Sequence, residues 1–98
     1  MRDPKILEAV KESLARLTER APGRAIEVRI PPYAAVQCGD GPTHTRGTPP
    51  NVIEMNAETW LALASGERSW ADAMSAGLIN ASGVRADLTE LLPLQVKP

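Results

Sequence analysis

Residues 26–38 read Ile-Glu-Val-Arg-Ile-Pro-Pro-Tyr-Ala-Ala-Val-Gln-Cys, and this stretch decides what kind of sheet the chain can form. Its first five residues alternate apolar and charged side chains, which is the two-residue period of a half-buried strand. Pro31 and Pro32 then remove two backbone N–H donors in succession, so a central strand cannot continue through them. We therefore predict that the strand ends there or bends at an edge, and that a second strand follows over residues 33–38.

The sequence before this stretch predicts an N-terminal helix from about Asp3 to Arg20. Asp3 followed by Pro4 is typical of a helix start, because aspartate caps free N–H groups and proline at the first helical position loses no hydrogen bond. Apolar residues then recur at helical spacing and form one stripe, made of Ile6, Leu7, Val10, Leu14 and Leu17. The stripe can pack on the chain's own sheet, which we favour, or on a second copy in a homodimer.

Two short helices are predicted in the second half from their capping residues. Asn56 is a good N-cap for a helix that Gly66 closes, since glycine adopts the left-handed conformation of a helix C-terminus without strain. Ser69 opens a second helix with an aspartate three residues later, as in a capping box, and this helix reaches Ala76.

Two further strands and a last helix complete the prediction. Strands are expected over residues 51–56 and 78–82, and Pro93 stops a final helix whose apolar side carries Leu88, Leu91 and Leu92. Runs of strands followed by runs of helices favour an α+β fold over a doubly wound parallel sheet. We predict one domain over residues 1–98, with an antiparallel or mixed sheet of about four strands covered by the N-terminal helix and three short C-terminal helices.

Composition narrows the classes of partner. The 98 residues carry 11 basic and 12 acidic side chains, and aromatic residues make up only 3%. Nucleic acid requires a concentrated positive field or a row of stacking aromatics, so we expect no nucleic-acid partner. A single cysteine, a charged N-terminus and no apolar run near the roughly 18 to 20 residues of a membrane span predict a cytoplasmic protein without integral membrane association.

Residues 39–50 are dense in turn formers and free of large apolar side chains, which predicts a surface excursion. Within it, Thr43, His44 and Arg46 could together bind a carboxylate or phosphate, because each can donate hydrogen bonds to oxygen. The same side chains could instead tie a long loop to the sheet. Residues 43–46 could also return briefly as an edge strand.

Few residues support chemistry. One histidine and one distant cysteine have no recognised metal-ligand spacing, so we expect neither a metal nor a cofactor. Cys38 and His44 could form a nucleophilic pair, and His44 with Arg46 could serve a small enzyme. Cys38, however, falls on the apolar face of a predicted strand, where a thiol is more often an inert small hydrophobe. We therefore predict a binding protein rather than an enzyme.

The second half also contains an ordered set of motifs: Trp60-Leu61-x-Leu63-x-x-Gly66, Trp70-x-x-Ala73, Gly77-Leu78-Ile79, Ser82-Gly83, and Asp87-Leu88 with Leu91-Leu92. This order resembles the sterol carrier protein family, in which a helix with a leading tryptophan precedes a short helix, a Gly-led strand and a final helix. Residues 28–37 and 44–51 look more specifically like a small bacterial branch of that family. The likeness covers roughly residues 24–94.

The resemblance implies an α+β fold whose helices and sheet enclose an apolar tunnel for sterols, fatty acids or acyl chains. We therefore predict non-enzymatic binding or carriage of a lipid, sterol or other apolar ligand, with the polar mouth at Thr43, His44 and Arg46. The alternative is an accessory or protein-interaction domain with a vestigial pocket. The residues predicted to line the ligand site are Trp60, Leu63, Trp70, Met74, Ile79, Leu88 and Leu91. Apolar residues at such spacing are more often plain core, and that reading stays open.

Overall fold

Short helices and strands make up the part of the chain that the computed structural model describes, residues 3–41 and 51–94. The elements follow in the order α1 (Pro4–Arg20), β1 (Ile26–Ile30), β2 (Ala34–Cys38), β3 (Asn51–Glu54), α2 (Ala57–Ser65), α3 (Trp70–Ser75), β4 (Asn80–Ser82) and a 3₁₀ turn (Thr89–Leu91). This is the predicted α+β order of an N-terminal helix, a sheet and further short helices.

The sheet is mixed and has four strands in the order β2-β1-β3-β4. β1 pairs antiparallel with β2, from Ile26 opposite Cys38 to Ile30 opposite Ala34, and it pairs parallel with β3 on its other side. β3 in turn pairs antiparallel with β4. The first strand is therefore central, and it ends at Ile30 directly before the two prolines, which confirms a strand end there.

Helix α1 begins where the capping residues predict. The Oδ1 atom of Asp3 accepts hydrogen bonds from the backbone N–H groups of Lys5, at 2.8 Å, and Ile6, at 3.4 Å. Its buried residues are Val10, Leu14 and Leu17, and the helix contacts β2 and α2 of its own chain. The favoured packing of the apolar stripe is confirmed, and a homodimer stays a prediction.

The caps of α2 and α3 are also confirmed. Asn56 accepts from the N–H of Thr59 at 2.8 Å, and Gly66 closes α2 with a φ of 89°. The Oγ of Ser69 accepts from the N–H of Asp72 at 3.0 Å, one turn into α3. These local hydrogen bonds fix both helices independently of what they pack against.

Three predicted elements are shorter or tighter than expected. Strand β4 starts at Asn80 rather than at residue 78, because the N–H of Leu78 donates to the carbonyl of Ala73 and so belongs to the end of α3. The strand from residue 51 ends at Glu54, since Asn56 is already the cap of α2. The last predicted helix is a single 3₁₀ turn, in which Asp87 accepts from the N–H of Thr89 at 2.8 Å.

The core lies between the helices and one face of the sheet. Alternate residues of β1 (Ile26, Val28 and Ile30) are buried, together with Ile53 of β3 and Trp60 and Leu63 of α2. On the other face, Arg29 lies 2.6 Å from a carboxylate oxygen of Glu27, and the hydrogen bond and charge of Glu27 raise the pKa of Arg29.

Among residues 3–41 and 51–94, no helix is both long and apolar enough to cross a membrane.

Candidate ligand-binding cleft

A cleft of 710 Å³ lies between α1 and α2. Its apolar lining comes from the N-terminal half of α1, from α2 and from the segment after the 3₁₀ turn, and consists of Ile6, Leu61, Ala62, Ala64 and Leu94. These side chains are partly or fully buried, so they form the inner surface of the cleft. A volume between about 300 and 1,000 Å³ with apolar walls is typical of a small-molecule site.

Ser13 joins the cleft to the core behind it. Its side chain lines the cleft, and its Oγ accepts a 2.7 Å hydrogen bond from the indole Nε1 of Trp60, which is 0% exposed. The Ser13 hydroxyl in turn donates toward the carbonyls of Ala9 and Val10, at 2.8 and 3.0 Å. A buried indole N–H requires such an acceptor, and this hydrogen bond links α1 to α2 across the inner end of the cleft.

Leu94 forms the remaining wall, and the segment of residues 91–94 that carries it is held by α1. The guanidinium of Arg20 donates to the carbonyls of Leu91 at 2.8 Å, Pro93 at 2.9 Å and Leu94 at 3.3 Å. The N–H of Leu94 donates to the carbonyl of Ala64 at 2.9 Å. Leu94 is thereby fixed with its side chain 6% exposed, against both helices.

The charged side chains that line the cleft are Glu12, Arg16, Glu58 and Glu67. All four residues are exposed, which places them at the mouth rather than at the inner surface. Arg16 lies 4.0 Å from a carboxylate oxygen of Glu12, one helical turn away. The mouth therefore carries three carboxylates and one guanidinium, a formal excess of two negative charges.

The structure separates the seven residues that the sequence predicts for a ligand site. Trp60, Leu63 and Leu88 are at most 1% exposed and lie in the core cluster. Leu91 is partly buried against the same cluster, whereas Met74 is 43% exposed. Trp70 and Ile79 are each 8% exposed.

The seven residues do not share one cleft. Leu63 and Trp70 line a cleft of 320 Å³ together with Leu92 and Pro93. Ile79 lines another, of 490 Å³, beside Leu78 and Asn80. A ligand-binding role for the seven residues stays a prediction, and the geometry favours the cleft between α1 and α2 over a tunnel around the two tryptophans.

Sequence reasoning missed three of the residues that shape this larger cleft. Ile6 belongs to the predicted apolar stripe of the N-terminal helix, and Leu61 to the motif Trp60-Leu61-x-Leu63. Leu94 belongs to no predicted element. One signal was available, because Trp60 and Leu61 are adjacent in α2 and adjacent helical side chains point about 100° apart. When the side chain of Trp60 points into the core, the side chain of Leu61 therefore points to the side of the helix, where it can line a cleft.

Predictions on Thr43, His44, Arg46 and the edge strand over residues 43–46 lie outside the described residues. Asp40 and Asn51, which lie on either side of residues 42–50, both contact the turn after β4. Asn51, 3% exposed, donates to the carbonyl of Ala25 and accepts from the N–H of Arg85, both at 2.8 Å. The Arg85 guanidinium donates to the carbonyl of Asp40 at 3.3 Å, so the turn after β4 holds both sides of the excursion.

Cys38 is 0% exposed at the end of β2, and burial raises the pKa of its thiol to about 11. A thiol with such a pKa is almost wholly protonated at neutral pH and is a poor nucleophile. Across residues 3–41 and 51–94, no group of three or more His, Cys, Asp or Glu side chains is placed to hold a metal ion.

The fold and the motif order together match one family of proteins. A family model described as a bacterial SCP ortholog, where SCP denotes the sterol carrier protein, matches residues 2–94. The chain belongs to this bacterial sterol-carrier-like family. The match confirms the resemblance read from residues 24–94 and extends it over α1, which supplies one wall of the cleft. No curated protein matches the sequence.

Proposed function

We propose that this bacterial sterol-carrier-like chain binds an apolar or amphipathic small molecule in the cleft between α1 and α2, and that it carries the molecule without transforming it. The observation that supports this proposal is a 710 Å³ cleft whose inner surface is apolar and whose mouth is charged. Such a division suits a molecule with a hydrocarbon part and a polar end, because the hydrocarbon leaves water while the polar end stays hydrated. Membership of the family supports the same class of ligand.

The arrangement of the walls supports reversible loading. Two walls are helices anchored by the core, and the third is the short segment held by Arg20 and by the N–H of Leu94. That segment follows the 3₁₀ turn and has no regular structure over residues 92–94, so its displacement breaks few hydrogen bonds compared with the displacement of a helix. A ligand can enter through the open side of the cleft while the core behind Ser13 stays packed.

Binding without chemistry is part of the proposal. The hydroxyl of Ser13 is engaged with Trp60 and with two backbone carbonyls, and the thiol of Cys38 is buried in the core. Nucleophilic catalysis needs an accessible nucleophile beside a base. A free buried thiol also suits the reducing cytoplasm, to which we assign the protein.

A second candidate function is supported by a different surface. Met74 and Leu78, at the end of α3, are 43% and 36% exposed, and the backbone bonds around Gly77 bring them onto the same turn. Two exposed large apolar side chains on one turn favour contact with a protein partner. An accessory or protein-interaction domain would use this surface and leave the cleft between α1 and α2 empty.

Native mass spectrometry of protein purified gently from cells tests the proposal. We expect the folded chain to carry the additional mass of a small apolar or amphipathic molecule, or to take one up from added lipid extract. Ala62→Phe should abolish the added mass, because residue 62 lines the cleft on α2. Ala15→Phe is the matched control, since Ala15 is exposed on α1 and the same bulk there leaves the cleft open. An empty wild-type protein in both conditions, or equal loading of the two variants, contradicts the proposal.

A further inference from the structure

The charged residues at the mouth of the cleft are mostly acidic, and this bears on the charge of the ligand's head group. Of the described residues that line the cleft, Glu12, Glu58 and Glu67 are acidic and Arg16 alone is basic. Arg16 is already 4.0 Å from Glu12, so it offers an entering anion a cation that is partly compensated. The chain as a whole has a formal charge of only −1, so the excess at the mouth is a local feature rather than a consequence of composition.

We propose that the cleft prefers a cationic amphipath, an alkyl or fused-ring hydrocarbon with an ammonium-type head group, over an anionic one with the same tail. This inference rests on the proposed function, because the apolar cleft is the site and the carboxylates only decide the sign of the head group. A carboxylate head group at the mouth would meet two uncompensated like charges, whereas an ammonium group would be attracted by them.

Geometry supports a head group at this position. The carboxylates come from two elements on opposite sides of the cleft, Glu12 on α1 and Glu58 on α2, with Glu67 just beyond the end of α2. Both helices therefore contribute negative charge to the rim of the cleft. The hydrocarbon then lies over the apolar lining, which includes Leu61 and Ala62.

The expected size of the preference follows from the exposure of these groups. The side chains of Glu12 and Arg16 are 71% and 47% exposed, so water and salt screen them strongly. The interaction energy of two unit charges about 4 Å apart in water changes a binding affinity by a factor of about five to ten. We expect about a tenfold preference for the ammonium ligand at low ionic strength, falling toward equality in roughly 0.5 M salt.

A tail-matched series tests the inference by isothermal titration calorimetry below the micelle threshold of each probe. The probes are dodecyltrimethylammonium, dodecyl maltoside and tridecanoate, which share a twelve-carbon alkyl tail, because one CH₂ more or less would itself change affinity about fourfold. We expect affinity to fall in that order, with the difference between the two charged probes reduced by added salt. Glu58→Gln/Glu67→Gln should bring the ammonium and carboxylate probes close together. Glu19→Gln/Glu90→Gln is the control, since it removes the same charge from exposed positions that do not line the cleft.

The two claims fail differently in this experiment. Binding of tridecanoate as tight as that of the ammonium probe overturns the charge preference and leaves the ligand cleft in place. Equal effects of the two double variants also overturn it, because the mouth would then have no special influence. Failure of all three probes to bind overturns the charge preference and the proposed function together.

Discussion

The indole Nε1 of Trp60 donates a 2.7 Å hydrogen bond to the Oγ of Ser13, and this pair holds α2 against α1 at the inner end of the cleft. Trp60 is wholly buried, and Ser13 supplies the acceptor for its indole N–H. The hydrogen bond therefore makes one serine of α1 part of both the core and the cleft.

Ser13→Ala should lower the free energy of unfolding by about 1 to 3 kcal/mol, because it leaves a buried indole donor without a partner. Urea unfolding followed by circular dichroism measures the change. Ser65→Ala is the control, as Ser65 also lines the cleft but is exposed and bonds only to nearby backbone, the carbonyl of Ala62 and the N–H of Glu67. A loss for Ser13→Ala no larger than that for Ser65→Ala would show that the Trp60 hydrogen bond does not stabilise the fold.

Arg20→Ala should release the segment of residues 91–94 from α1 and speed hydrogen exchange at the amide of Leu94. Three hydrogen bonds to backbone carbonyls are lost, while the bonds from the Leu94 N–H to Ala64 and from the Leu91 N–H to Leu88 remain. We expect exchange at that amide to rise about tenfold or more, since each net hydrogen bond contributes about 0.5 to 1.5 kcal/mol.

Arg24→Ala is the matched control for this measurement. Arg24 is also an exposed arginine, but its guanidinium bonds to the side chain of Gln37 at 3.2 Å and not to the last segment. Exchange at Leu94 that is equally fast in both variants, or unchanged in Arg20→Ala, would mean that Arg20 does not hold this wall of the cleft.

Cys38 predicts a specific loss of stability at alkaline pH. Burial raises the pKa of its thiol from an ordinary 9.0 to about 11, so the folded state favours the protonated form. That stabilisation is fully present below about pH 9 and is lost as the pH rises through about 11. Between those values the wild type should lose about 2 kcal/mol more than Cys38→Ala, by the linkage of pKa to stability.

The comparison of the two proteins isolates the thiol, because they share every other side chain. Urea unfolding at intervals from about pH 8 to 11 gives the two stability curves. Parallel curves would show that the Cys38 thiol ionises as easily in the folded state as in the unfolded one.

Most of the fold was predictable because its signals are local. Asp3, Asn56, Ser69 and Gly66 define helix ends through hydrogen bonds within a few residues, and each lies where the structure uses it. The two prolines at 31 and 32 likewise ended a strand without reference to any other part of the chain. Errors occurred where a nearby cap competed, as at Leu78, whose N–H closes α3 instead of starting β4.

The candidate site was less predictable because it depends on how distant elements meet. Trp60 and Leu63 were expected to line a ligand site, and their helical spacing was read correctly, but the sequence cannot say that this face of α2 would be filled by α1 and the sheet. Leu94 lies after Pro93, and its backbone is held at the cleft by Arg20, 74 residues earlier, and by the carbonyl of Ala64. Neither relation leaves a periodic trace in the sequence.

The position of a bound ligand tests the central claim most directly. A dodecyltrimethylammonium analogue with a nitroxide near the tail end broadens the NMR signals of the amides that it approaches. We predict broadening at Leu61, Ala62 and Leu94, with the outer sheet residues Gln37 and Val52 unaffected. Broadening centred on Trp70, Met74 and Ile79 instead, or none at saturating ligand, would contradict a binding site between α1 and α2.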